Sequence, residues 1–160
     1  MNRRKMTIFL AGLSILMLAA ITVAGQLLSE AAMVTDFSRK NLAPCPAYPF
    51  GTDWMGRDMF VRTITGLSLS IRIGLLTAAV SALIACFMGT AAACLGKAAD
   101  GLVGIVIDLV MGIPHILLLI LISFAAGKGF WGVMAGISLT HWTSLSRLLR
   151  AEVMQLKERQ

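Results

Sequence analysis

An all-α, polytopic bundle of membrane helices is the fold class this sequence predicts, on three observations. Hydrophobic residues make up 58% of the 160-residue chain and charged residues only 14%, against about 45–50% and about 25% in a soluble domain. Residues 6–29, 73–96 and 129–146 hold no Asp, Glu, Lys or Arg, and residues 101–127 hold only Asp108. A bilayer core of about 30 Å takes roughly 20 helical residues to cross, so each stretch is long enough to span it. Finally, the charges gather at the ends of these stretches. A soluble enzyme, a disulfide-rich secreted domain and a disordered tail are excluded. The net charge of +6 sits at span ends and forms no basic face, so the lipid bilayer is an expected partner and nucleic acid is not. Cys45, Cys86 and Cys94 are too few and too scattered for a disulfide framework.

Four spans follow in order, near residues 6–28, 70–95, 102–126 and 130–150. The first opens with Arg3, Arg4 and Lys5, which would suit a signal peptide. Its apolar run is longer than the roughly 7–15 residues of a signal core, so it reads as an uncleaved helix. Residues 1–28 are therefore an N-terminal transmembrane helix, residues 29–68 a loop and residues 69–160 a three-helix membrane part. The loop carries Pro44, Pro46 and Pro49, three of the four prolines. Proline fixes φ and removes a donor, so this stretch is extended. Basic residues favour the cytoplasmic side. Arg3, Arg4, Lys5, Lys97, Arg147, Arg150, Lys157 and Arg159 fall on one side and outnumber Arg39, Lys40, Arg57, Arg62 and Lys128 on the other. The N-terminus is accordingly cytoplasmic and the loop extracytoplasmic. In the second span Ser81, Ala85, Gly89 and Ala93 recur at four-residue spacing, a stripe that lets a neighbouring helix come close. Gly132 and Gly136 repeat the device in the fourth.

Chemistry-bearing residues are few. Asp108 is costly in a span, at about 2.5–3.5 kcal/mol on insertion scales. His115 stands seven residues on, nearly on the same helical face, with a helix kink expected at Pro114 between them. The two are either part of a polar pathway or, for Asp108, interior hydrogen-bonding with His115 incidental. Their spacing is not that of a helical metal pair. The fourth span turns polar at Ser138, Thr140, His141, Thr143, Ser144 and Ser146, so this face meets protein or water, and His141 is a structural residue or a pathway group. In the loop, Arg57 is expected to pair with Asp53 or Asp58. There is no nucleophile–base pair, phosphate cradle or metal cluster, so neither a catalytic residue nor a cofactor is expected.

The loop run Pro49-Phe50-Gly51-Thr52-Asp53-Trp54-Met55-Gly56-Arg57-Asp58 resembles the Pro-Phe-Gly-Thr-Asp-x-x-Gly-Arg-Asp signature of the dipeptide/oligopeptide/nickel permeases, the membrane subunits of ABC importers. Arg62, Gly66, Ser68, Ser70 and Arg72 follow in similar order. Asp108 to Pro114 resembles the family's third span, and Trp142, Arg147, Arg150, Ala151, Glu152 and Val153 its fourth. The resemblance covers essentially the whole chain and is closest to the second, shorter-looped kind of subunit. It implies the type I importer permease fold, incomplete, with four of the family's six helices and without the coupling loop that would follow. It also implies a second permease subunit as heterodimer partner, two cytoplasmic ATPase subunits that hydrolyse the ATP, and an extracytoplasmic solute-binding protein, all at the cell membrane. The chain itself would be no enzyme. Its cargo would be peptides or nickel and metal chelates. The alternative is a structural, assembly or inactive truncated protein.

Overall fold

The structure, a computed structural model, describes residues 3–159. Five α-helices carry the chain: α1 (Arg3–Leu27), α2 (Met59–Cys94), α3 (Lys97–Gly112), α4 (His115–Ala125) and α5 (Phe130–Glu158). Two short 3-10 turns, Ala31–Met33 and Phe37–Arg39, lie in the loop between α1 and α2. The chain divides into two compact units, Met1–Arg72 and Ile73–Gln160.

In the first unit, α1 meets the start of α2 where both offer small residues. The Ser68 hydroxyl is fully buried and donates to the Thr22 carbonyl at 2.8 Å. Gly25 faces Ser68 and the Ile64 carbonyl with no room for a methyl group. α2 begins at Met59, well before the apolar window suggests. The reason is local: Asp58 Oδ1 accepts the Phe60 and Val61 amides at 2.8 and 3.2 Å, an N-cap that starts the helix inside the signature. At 36 residues and about 1.5 Å per residue, α2 is about 54 Å long and outruns a bilayer core.

In the second unit, a small core forms from Ala85, Ala92, Val103, Ile107 and Trp142. The stripe on α2 is the packing face: Thr77, Ser81, Ala85, Gly89 and Ala92 are all buried, and Ala93 is half-buried. The Ser81 hydroxyl donates to the Ser138 carbonyl of α5 at 3.2 Å, and Gly89 faces the Ser146 carbonyl and Leu149. Lys157 donates to the Ala93 carbonyl at 2.6 Å, which satisfies one of the open carbonyls at the end of α2. Gly132 and Gly136 face the backbone of α4 at Ser123 and Leu119.

One expectation about the spans is corrected. The stretch expected as one kinked third span is two helices, α3 and α4, bent by 94° at the break. Pro114 lacks an amide hydrogen and takes φ −51°, ψ 122°, so the helix stops and restarts instead of bending. α1 and α2 are each long and apolar enough to cross a membrane, and the bent pair counts as a third if taken together. α5 has the length but not the apolarity. Its hydroxyls explain this, because Ser138, Thr140, Thr143 and Ser146 are 1–4% exposed and face protein, where a polar side chain costs less than in lipid.

Candidate functional site

The loop signature folds around one carboxylate. Asp53 Oδ1 accepts the amides of Met55 and Arg57, each at 2.9 Å. Oδ2 accepts Arg57 Nε at 2.8 Å and Arg62 Nη1 at 2.5 Å. The Asp53 side chain is 11% exposed. Burial pushes its pKa up, but the Arg57 amide and guanidinium, the Met55 amide and the Arg57 charge together outweigh that and hold it at about 2. Of the two acids expected as partners for Arg57, Asp53 takes the role, while Asp58 caps α2. Arg62 is a third member that spacing did not single out.

The other signature residues hold the turn. Thr52 is buried; its Oγ1 accepts the Leu42 amide at 2.9 Å and donates to the Arg39 carbonyl. Gly51 and Gly56 have φ of 71° and 73°, a region L side chains resist. At Gly56 an added methyl would also strike the Asp36 carbonyl. Asp36 accepts from Ser38 through its hydroxyl at 2.6 Å and its amide at 3.0 Å, and pairs with Arg39 at 2.9 Å. The two bonds from Ser38, with a lesser contribution from the Arg39 charge, outweigh the opposing effect of burial and lower the Asp36 pKa. Phe50 and Phe60 meet edge-to-face at 5.3 Å. Together these bonds, turns and contacts hold the loop around Asp53.

In the second unit, Asp108 does not share a face with His115, because the break at Pro114 ends the helix on which that face was reckoned. Asp108 instead pairs with Arg147 of α5 at 2.5 Å, in an exposed ion pair. About two turns earlier on α3 and one turn later on α5, Arg150 makes a forked pair with Asp100. Two ion pairs thus tie α3 to α5. In the sequence both arginines served as topology markers and as part of the resemblance to the family's fourth span. The pairs join positions 39 and 50 residues apart, beyond the reach of spacing rules.

His115, the first residue of α4, lies against His141 of α5, with ring centroids 5.0 Å apart and planes at 81°. Both line a cavity of about 530 Å³ beside the α3–α4 break, together with Pro114, Thr140, Thr143 and Ser144. The Thr140 hydroxyl donates to the Gly136 carbonyl at 2.9 Å and that of Thr143 to the Thr140 carbonyl at 3.2 Å. Among the described residues, no group of three or more His, Cys, Asp and Glu converges as a metal would require. The serine and threonine pattern pointed to this wall; the pairing of the two histidines was not legible in it.

The family described as "Binding-protein-dependent transport system inner membrane component" matches residues 81–160. The dipeptide transport system permease protein DppC of Bacillus subtilis (strain 168) is 32% identical over 96% of this chain and 49% of its own length. The oligopeptide transport system permease protein OppC of the same organism is 32% identical over 78% of the chain and 43% of its own length. The probable D,D-dipeptide transport system permease protein DdpC of Escherichia coli (strain K12) is 28% identical over 96% and 51%. The chain spans about half the length of the curated relatives it matches.

Proposed function

From the premise that the chain belongs to the dipeptide/oligopeptide permease family of binding-protein-dependent transport system inner membrane components, we propose that it forms part of the path by which an ATP-driven importer carries peptides across the cell membrane. The observation that carries this reading is the match to a dipeptide permease along 96% of the chain. Two features of the molecule support it. The helices α1 and α2 are apolar enough to cross a bilayer, and the break between α3 and α4 adjoins a cavity whose wall includes two imidazoles and three hydroxyls. Irregular backbone at membrane depth is tolerated only where it is buried in protein or lines a watery space.

In this reading the N-terminus is cytoplasmic, the signature loop is extracytoplasmic, and the loop's ion pairs shape the outer mouth. A second permease subunit, two ATPase subunits and a solute-binding protein complete the machine, and ATP hydrolysis belongs to the ATPase subunits. Peptides are the cargo we assign; nickel or a metal chelate is the alternative that the test separates.

Deleting the gene for this chain from its host should reduce uptake of a radiolabelled dipeptide to background, leave nickel uptake unchanged, and be reversed by restoring the gene. Loss of nickel uptake with peptide uptake intact would overturn the assignment. Orientation has its own measurement. Cys45 lies in the loop, while Cys86 and Cys94 lie on α2. A membrane-impermeant maleimide added outside the cell membrane should label Cys45 and spare the other two. Labelling of Cys45 only after the cytoplasm is opened would reverse the topology.

A further inference from the structure

The cavity beside the α3–α4 break has a wall of unusual balance. Its lining residues include no charged side chain. Its polar side chains are two imidazoles and three hydroxyls, beside the backbone of the helix break. A neutral imidazole presents one N–H donor and one bare nitrogen acceptor. The Thr140 and Thr143 hydroxyls have committed their hydrogens to backbone carbonyls, so what they offer the cavity is lone pairs. The Ser144 hydroxyl can give or take. Donors and acceptors therefore stand side by side without a formal charge among them.

That balance selects an occupant. A bare anion would leave the acceptors of Thr140, Thr143 and the imidazoles facing negative charge. A bare cation would face the imidazole N–H donors, with no carboxylate in the wall to neutralise it. Either ion would find no opposite charge among the side chains of the wall. An amide matches both kinds of group at once, since its N–H meets an acceptor and its carbonyl meets a donor. Unpaired polar groups on either side are what such a site penalises most. The volume of about 530 Å³ falls in the range of small-molecule sites, about 300–1,000 Å³.

We infer that His115 and His141, with Thr140, Thr143 and Ser144, form a binding site for a neutral amide group of a passing solute. The natural solute, a peptide, rests on the function proposed above; the site's preference for an uncharged amide does not. The pair acts as a specificity element: it holds the amide by hydrogen bonds and leaves terminal charges unread.

The chain contains only two histidines, so a ¹⁵N-histidine spectrum of the full chain in lipid nanodiscs holds only these two rings. N-acetylalanine methylamide, an uncharged probe with two amides, should shift both ring signals saturably. N-acetylalanine methyl ester, which lacks the terminal amide hydrogen, should bind more weakly. In His141→Ala the His115 signal should respond with at least about tenfold weaker affinity, the loss of one or two hydrogen bonds. His141→Gln, which keeps a donor and an acceptor, should recover most of it and controls for damage to the fold. Three results would overturn the inference: saturation by acetate with no response to the diamide, saturation by Ni²⁺ or Zn²⁺ alone, or an unchanged response in His141→Ala. Failure of the host to import dipeptides would refute the proposed transport function and leave this binding result standing.

Discussion

Replacing Asp53 with Ala should loosen the signature loop more than any other single change within it. The carboxylate holds two backbone amides and two guanidinium groups. Its removal leaves Arg57 beside Arg62 with no counter-charge, and like charges in a half-buried place repel. Hydrogen exchange at the Met55 and Arg57 amides, read by mass spectrometry in nanodiscs, should accelerate by at least about tenfold, since charge-assisted bonds are the stronger kind. Asp53→Asn keeps the shape, loses the charge, and should fall between. The pH response follows from the lowered pKa of about 2 against an ordinary 3.8. A carboxylate depressed in the folded state contributes stability that is fully present above the unfolded value and lost as pH falls through the folded one. Protection of these two amides, corrected for intrinsic exchange, should therefore hold down to about pH 4 and decline towards pH 2 in the native chain. In Asp53→Ala it should be low and flat across that window. Unchanged exchange in the variant would mean that the turn is held by its glycines and backbone bonds alone.

The second large effect is expected in the membrane part. Gly89 lies where α2 passes α5, and a methyl group added there would stand 2.8 Å from the Ser146 carbonyl, 3.0 Å from Leu149 Cβ and 3.3 Å from the Arg150 amide. Two of these neighbours are backbone, which cannot swing aside as a flexible side chain would. Gly89→Leu must therefore push the helices apart, at about 1–3 kcal/mol or more for overpacking. It should also disturb the core cluster that holds Ala85 and Trp142, and the Lys157 bond to Ala93 between the same two helices. Thermal unfolding in detergent should show a clear drop in midpoint, together with a change in Trp fluorescence. Gly101→Ala on α3 is the control. Nothing lies within 4 Å of its added methyl, and alanine is the better helix former, so its midpoint should stay or rise. Equal effects from the two changes would show that the α2–α5 approach is not tight.

What the sequence determined by itself is what local energetics decide. Long uncharged stretches demand helices in lipid, because every backbone amide must be satisfied within its own segment. Arg57 has both candidate acids, Asp53 and Asp58, within one turn of chain; the structure pairs it with Asp53 and gives Asp58 the cap of α2. The small-residue stripe of α2 announced its packing face because Ser81, Ala85 and Gly89 share a side by helical periodicity alone. Proline at position 114 foretold an interruption. Only the tertiary structure decided that the interruption is a 94° break, which took His115 off the face of Asp108 and laid it against His141. It likewise decided that Asp108 pairs with Arg147 and Asp100 with Arg150. The reason is the same in each case. A cap or a helical face depends on the next few residues, whereas a partner on another helix depends on which faces meet and at what angle, and that is fixed only when the helices pack.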